Sequence, residues 1–280
     1  MSKMFVFLTS CIILAACKED GPEPSEQFDK GTIELTSHTL SAWCLLNNSK
    51  YVLIFESGLG DSHQVWIDSR TAPTVSKEAD VVVYDRAGYG KSTIDNQPRT
   101  IANLRSDLEA LVARYSSGRK VILVGHSLGG FVIRDYAVNN PGKVAALFFI
   151  DPSHEGYQDA SRQDLEDLLY ETFAASFGLN SGAAREASQL MEDVAYAATL
   201  SNLPDVPVTV LTSMRKDKNN NMSDEAWGKT RQDWYAAHES LGTGISDFTH
   251  IGTTASGHYI MKDEPDLVTR ELRKLMAKLP

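Results

Sequence analysis

The chain has 280 residues, and its 37 Asp and Glu outnumber 27 Lys and Arg to give a formal net charge of −10. This acidic balance argues against nucleic acid as a partner, since nucleic acid demands a basic face. Three cysteines provide no disulfide framework, so a hydrophobic core must stabilise the fold, and one domain of ordinary size can supply that core.

The N-terminus is predicted to be a signal segment and not part of the fold. Residues 1–16 contain Lys3 followed by the apolar run "MFVFLTSCIILAA", which is short for a membrane span and typical of a secretory signal peptide. The ending "LAAC" resembles the bacterial lipoprotein box, which implies that Cys17 becomes the lipidated first residue of the mature chain. An ordinary signal peptide with a chance cysteine is the alternative.

These features predict an exported bacterial lipoprotein that is held at a membrane by the lipid on Cys17. In a Gram-negative cell the resemblance to lipoproteins implies the outer membrane or the periplasmic face, and Lys18 after the cysteine, in place of aspartate, favours the outer membrane. The polar stretch "KEDGPEPSEQ" predicts a flexible tether over residues 17–30. The folded body beyond the tether is expected to be a monomer.

From residue 31 onward, short apolar segments alternate with amphipathic helical patterns, as is typical of an α/β fold with a mostly parallel sheet. A hairpin is predicted over residues 31–46. The strands predicted after it are mostly continuously apolar, as buried parallel strands are: "KYVLIFES", "ADVVVYD", "KVILVG", "KVAALFFID", "VPVTVLTS" and "DFTHIGTT". Together they predict an eight-stranded sheet in one domain, 31–280, with flanking helices that include 100–118 and 264–279.

One segment interrupts this alternation. Residues 152–203 contain no predicted strand. A first helix is predicted from apolar residues at helical spacing, namely Leu165, Leu168, Leu169, Phe173 and Phe177. A second helix is predicted over 183–200. An insertion of this length is interpreted as a helical cap, the alternative being helices that only pack on the sheet. A charged, asparagine-rich loop over 213–231 is expected to help shape the same pocket.

The stretch "GHSLG" places Ser127 between Gly125 and Gly129, after the predicted strand "KVILVG" and before a helical pattern. This is the G-x-S-x-G arrangement of a nucleophile elbow, in which a strained turn between strand and helix exposes the serine hydroxyl. A nucleophilic serine also needs a base, an acid that orients the base, and donors for the oxyanion. Ser127 is therefore a candidate nucleophile if the chain supplies these partners.

Four motifs in chain order resemble those of the α/β-hydrolase superfamily, from about residue 31 to the end. They are "ESGLGDS" after the third strand, "YDRAGYGKS" after the fourth, "GHSLGG" after the fifth and "SGHYI" after the last. The resemblance implies the α/β-hydrolase fold, and its chain order Ser…Asp…His singles out His258 as the base that serves Ser127. It also implies an oxyanion hole made by the backbone N–H groups of Leu59, in the "ESGLG" loop, and Leu128.

Two aspartates compete for the role of the acid. Asp217, after "VPVTVLTS", lies near the position most common in the family, but it comes one residue late and lacks the usual hydrophobic-proline sequence after it. Asp151 ends the buried strand "KVAALFFID" and is rigidly placed by it, which makes it the favoured acid.

Other chemistries lack their motifs in the sequence. Asp85 stands where a phosphate-binding loop needs its first glycine, and His63 stands where a dinucleotide fingerprint needs its third. No clustered spacing suggests a metal, so no cofactor is expected. The prediction is a serine hydrolase, by default a carboxylesterase, that cleaves a small-molecule ester through an acyl-enzyme. An aminopeptidase or acyltransferase on the same fold is the enzymatic alternative, and a ligand-binding lipoprotein without turnover is the non-enzymatic one.

Overall fold

The computed structural model describes residues 27–216 and 222–280, and within these ranges eight strands form one sheet. The strands are β1 (Asp29–Glu34), β2 (Thr39–Leu45), β3 (Val52–Glu56), β4 (Asp80–Asp85), β5 (Val121–His126), β6 (Val144–Ile150), β7 (Val208–Ser213) and β8 (Phe248–Thr253). Their order is β1-β2-β4-β3-β5-β6-β7-β8. The first two pairings are antiparallel and the others are parallel. The predicted fold class, a mostly parallel eight-stranded sheet flanked by helices, is confirmed.

Helices cover both faces of this sheet. In the described part of the chain they are α1 (Gln64–Asp68), α2 (Thr71–Val75), α3 (Ile101–Tyr115), α4 (Leu128–Asn139), α5 (Gln163–Phe177), α6 (Gly182–Ala187), α7 (Leu190–Ala197), α8 (Asp224–Glu239), α9 (Ile260–Asp263) and α10 (Pro265–Ala277). Side chains alternate along β3, so that Ile54 packs in one apolar cluster with α3, α4 and α7. Its neighbours Leu53 and Phe55 pack in a second cluster with α1, α2 and α10. The core therefore lies in two layers, one on each face of the sheet.

The strand ends bring two of the candidate residues to one edge. Every residue of β3, β4, β5 and β7 is buried, as their continuous apolar runs predict. His126, the last residue of β5, lies opposite Ile150, the last residue of β6. Ser127 and Asp151, which follow these two residues, therefore leave the sheet side by side at its carboxyl edge, where ligands bind in open α/β sheets.

The helical insertion, residues 152–203, contains α5, α6 and α7 and no strand. The single helix predicted over 183–200 is instead two helices, because α6 ends at Ala187 and α7 begins at Leu190. At the start of α7 the buried carboxylate of Glu166 accepts the N–H of Met191 at 2.7 Å. A side chain of α5 thereby satisfies an N–H group that a continuous helix would have bonded internally.

The insertion touches both the core and the loops at the carboxyl edge. Helix α7 contributes Leu190 and Val194 to the cluster that contains α3 and α4. On α5, the ring of Phe173 lies so close to Gly60 that a Cβ there would be 2.6 Å from Cε1 of the ring. The insertion thus packs on the sheet at one end and covers the loop after β3 at the other.

Two boundaries differ from the sequence analysis. Strand β1 begins at Asp29, which pairs with Cys44, and Phe28 before it is buried, so the predicted tether 17–30 ends too late. The predicted loop 213–231 contains the start of α8, where the Ser223 hydroxyl accepts the N–H of Ala226 at 3.2 Å. A serine followed by acidic residues in the first helical turn is a helix start signal that the sequence analysis missed.

The predicted signal peptide, residues 1–16, and Cys17 lie outside the described residues. Among the helices of residues 27–216 and 222–280, none is long and apolar enough to cross a membrane.

Candidate active site

Ser127 occupies a sharp turn between β5 and α4. Its backbone has φ 52° and ψ −122°, a strained conformation for any residue with a side chain. Its neighbours hold it in this conformation: the N–H of Ser127 donates to the carbonyl of Ile150 at 3.3 Å. The carbonyl of Ser127 accepts the N–H groups of Gly130 and Ser153 at 2.8 and 2.9 Å. The elbow is therefore fixed by the end of β6 and by the loop that follows it.

Two glycines allow the loop after β3 to pass directly against this elbow. A Cβ on Gly129 would lie 2.5 Å from the carbonyl oxygen of Glu56, a distance that no real Cβ tolerates. A Cβ on Gly58 would lie 3.2 Å from the Cβ of Ser127. Larger side chains at either position would push the loop and the elbow apart.

The two predicted oxyanion donors, Leu59 and Leu128, belong to backbone segments that meet at Ser127. Leu128 is the first residue of α4, so its N–H has no partner within the helix. Leu59 follows Gly58 in the loop that packs against the elbow. The structure thus brings together the two backbone segments from which an oxyanion hole was predicted.

His258 and Asp151 form a hydrogen bond, with Nδ1 of the imidazole 2.7 Å from Oδ2 of the carboxylate. A carboxylate can only accept, so Nδ1 donates and Nε2 of His258 is left as the basic nitrogen. Asp151 is 1% exposed and has φ 43°, so it too is held in a strained conformation directly after β6.

The second carboxylate oxygen of Asp151 is also fixed. Its Oδ1 accepts the backbone N–H of Ser213 at 2.9 Å and the indole N–H of Trp234 at 2.8 Å. Burial acts to raise the pKa of Asp151, but the hydrogen bond from His258 and the electrostatic interaction with its imidazole outweigh burial and hold the pKa below its usual range. Asp151 is therefore a carboxylate at neutral pH, although it is buried.

His126 connects the His258 loop to the elbow. Its Nε2 donates to the carbonyl oxygen of His258 at 3.1 Å, and the two imidazole rings lie 4.6 Å apart. Burial lowers the pKa of His126, and the neighbouring imidazole of His258 acts in the same direction, which keeps the ring of His126 neutral. His126, which precedes Ser127 in the chain, thus holds the backbone of the candidate base His258 by a hydrogen bond.

Asp151, the favoured candidate acid, contacts His258. The other candidate, Asp217, lies outside the described residues. The sequence analysis missed Trp234, which reaches Asp151 from α8. No local signal marks it, because the two residues are 83 positions apart and meet only through the packing of α8 on the sheet.

Comparisons with known proteins agree with this fold. A family model described as alpha/beta hydrolase fold matches residues 51–268. An uncharacterized protein of Bacillus subtilis strain 168, YqjL, is 24% identical over 221 residues, which cover 79% of this chain and 81% of that protein. A pimeloyl-acyl-carrier-protein methyl ester esterase of Proteus mirabilis is 28% identical over 176 residues, which cover 58% of this chain and 65% of the esterase.

Among solved structures, the chain is similar to Cfl2 of Burkholderia cenocepacia with a TM-score of 0.68 and 17% sequence identity, covering 91% of this chain and 97% of that one. The family match on the sequence spans the segments that carry Ser127, Asp151 and His258.

Proposed function

The chain belongs to the alpha/beta hydrolase fold family and is a hydrolase, and we propose that it is a serine hydrolase that cleaves small-molecule carboxylic esters. The observation that carries the proposal is the buried carboxylate of Asp151, hydrogen-bonded to Nδ1 of His258 at the edge of the sheet where Ser127 stands on its elbow. In the proposal Ser127 is the nucleophile, His258 is the base and Asp151 is the acid that orients the base, which are the three roles of a Ser-His-Asp triad.

In this mechanism Oγ of Ser127 attacks the ester carbonyl carbon while Nε2 of His258 takes its proton. Asp151 stabilises the imidazolium that forms and keeps its Nδ1 directed inward. The N–H groups of Leu59 and Leu128 stabilise the oxygen of the tetrahedral intermediate. The intermediate collapses when His258 protonates the leaving alcohol, and water, activated by the same imidazole, then releases the acid from Ser127.

Two observations support the substrate class and the role of the insertion. The similarity to a protein named as a methyl ester esterase supports an ester as substrate. The contact of Phe173 with the loop after β3 supports a cap role for the helical insertion, in which α5 lies over the candidate oxyanion loop.

The proposal is tested with p-nitrophenyl acetate and butyrate as substrates and with a fluorophosphonate that reacts with activated serines. We expect release of p-nitrophenol, and a single phosphonyl adduct that peptide mass spectrometry places on Ser127. An adduct confined to another serine, or no ester hydrolysis and no adduct, would contradict the proposal.

We also propose that Cys17 carries a lipid that anchors the enzyme, on the basis of the "LAAC" sequence. Cys17→Ser is expected to move the protein from the membrane fraction to the soluble one, because the acyl chains that hold it are lost. Retention of the variant in the membrane fraction would count against lipidation at this residue.

A further inference from the structure

Arg86, in the loop after β4, is a buried arginine whose hydrogen-bonding capacity is fully used. Its Nε and Nη2 donate to the two carboxylate oxygens of Glu186 at 2.7 and 2.8 Å. Its Nη1 donates to Glu56 at 2.9 Å. Arg86 lies within the motif "YDRAGYGKS", and no role for it was predicted from the sequence.

The remaining donors of Arg86 bind the loop that carries the proposed oxyanion donor. Nη1 donates to the carbonyl of Ser57 at 2.6 Å, and Nη2 donates to the carbonyl of Gly58 at 2.8 Å. All five N–H groups of the guanidinium are thereby bonded, two of them to consecutive backbone carbonyls. A planar guanidinium with five donors can do this, and an ammonium group cannot.

These bonds set the direction of the Leu59 N–H. In a trans peptide unit the C=O and N–H bonds point in opposite directions. The carbonyl of Gly58 is directed at Arg86, so the N–H of Leu59, which belongs to the same peptide unit, is directed away from it. On the other side of Leu59, the N–H of Gly60 donates to the hydroxyl of Tyr89 at 3.2 Å.

Tyr89 belongs to the same cluster as Arg86, because its hydroxyl donates to Glu186 at 2.6 Å. Both peptide units that flank Leu59 are therefore held by one group of side chains: Arg86, Tyr89 and Glu186. We call these three residues the loop clamp.

Glu186 reaches the clamp from the helical insertion. It lies on α6, which sits directly on the loop after β4: the N–H of Gly182 donates to the carbonyl of Gly88 at 3.0 Å. A Cβ on Gly88 would lie 2.5 Å from the nitrogen of Gly182, so the two segments are in the closest possible contact. The oxyanion loop is thus completed by a residue of the insertion, and not by the sheet domain alone.

We propose that Arg86 is a positioning residue which, with Tyr89 and Glu186, fixes the Leu59 N–H for oxyanion stabilisation, so that catalysis depends on the docking of α6. This inference rests on the proposed function, because it assigns the clamp to an oxyanion hole. A buried ion pair that serves stability alone would leave the chemical step unchanged when it is weakened.

The test compares Arg86→Lys and Tyr89→Phe with Arg99→Lys, in which the same substitution is made at another buried arginine. Arg99 bonds Asp95 and Asp107 and makes no contact with the oxyanion loop in the hydrogen bonds of the described residues. For each variant, kcat and KM are measured on p-nitrophenyl butyrate, together with the melting temperature. Inhibition by an alkyl boronic acid is also measured, because its tetrahedral serine adduct places an oxygen in the oxyanion hole.

We expect Arg86→Lys to lower kcat by roughly 10²-fold, the order of the loss of one oxyanion donor, with little change in KM. The boronic acid should bind more weakly by a similar factor. Tyr89→Phe leaves every charge in place and should lower kcat and the affinity for the boronic acid as well, each by a smaller factor. Arg99→Lys should lower the melting temperature and keep the wild-type kcat and boronate affinity.

The proposed role of the loop clamp would be overturned if Tyr89→Phe and folded Arg86→Lys both kept the wild-type kcat and the wild-type affinity for the boronic acid. If Arg86→Lys does not fold, Tyr89→Phe alone decides, since it removes one hydroxyl and no charge. A wild-type enzyme that neither hydrolyses esters nor reacts with the fluorophosphonate would instead overturn the proposed function, so the two failures are distinguishable.

Discussion

Ser127→Ala is expected to lower kcat for ester hydrolysis by about 10⁴- to 10⁶-fold, because the hydroxyl oxygen that forms the acyl-enzyme is lost. The rest of the site is expected to stay as it is. The proposed oxyanion donors are backbone N–H groups, and the hydrogen bonds that hold the elbow use the backbone of Ser127. KM and the melting temperature should therefore change little, which separates a chemical loss from a structural one.

The control for this prediction is Ser153→Ala. Ser153 lies beside the elbow and donates its backbone N–H to the carbonyl of Ser127 at 2.9 Å, a bond that alanine retains. Activity close to wild type is expected for Ser153→Ala, measured on the same chromogenic ester. Equal rates for wild type and Ser127→Ala would show that the hydrolysis does not use this serine.

The central strands β3, β4, β5 and β7 could be predicted from the sequence because each is a buried apolar run, and burial on both faces demands such a run. The order of the strands is not visible in the same way. In the chain β4 comes between β3 and β5, but in the sheet β3 lies between β4 and β5. Only the packing of the connecting helices fixes that arrangement. The break between α6 and α7 escaped prediction for a similar reason, since the carboxylate at that break comes from α5.

The candidate site divides along the same line. Ser127 and His258 were identifiable because each sits in a short glycine-containing motif, and a strained turn leaves a trace in adjacent residues. Trp234 and Glu186 leave no such trace. Each reaches the site from a helix distant in sequence, and a tryptophan or glutamate in a helical pattern is read first as core or surface. Residues that hold the candidate catalytic groups were therefore harder to predict from the sequence than the candidate groups themselves.

Asp151→Asn is expected to lower kcat by about 10⁴-fold at neutral pH while the fold is retained. The reason lies in the two donors that meet at Oδ1, the backbone N–H of Ser213 and the indole N–H of Trp234. An amide NH₂ group cannot face two donors, so the carbonyl oxygen of the new asparagine must take the Oδ1 position. Its NH₂ group then faces Nδ1 of His258, where the carboxylate oxygen of Asp151 accepts.

Two donors cannot share that contact, so His258 must adopt the tautomer that is protonated on Nε2. The nitrogen meant to receive the proton of Ser127 then already carries one, and the base is lost although every atom stays close to its place. The measurement is kcat on p-nitrophenyl butyrate with thermal unfolding as the check on folding, and Asp217→Asn as the matched control at near wild-type activity. An inactive Asp217→Asn beside an active Asp151→Asn would reverse the assignment.

Trp234→Phe should lower kcat far less than Asp151→Asn does, because Ser213 still donates to Oδ1 of Asp151 and the carboxylate still accepts from Nδ1 of His258.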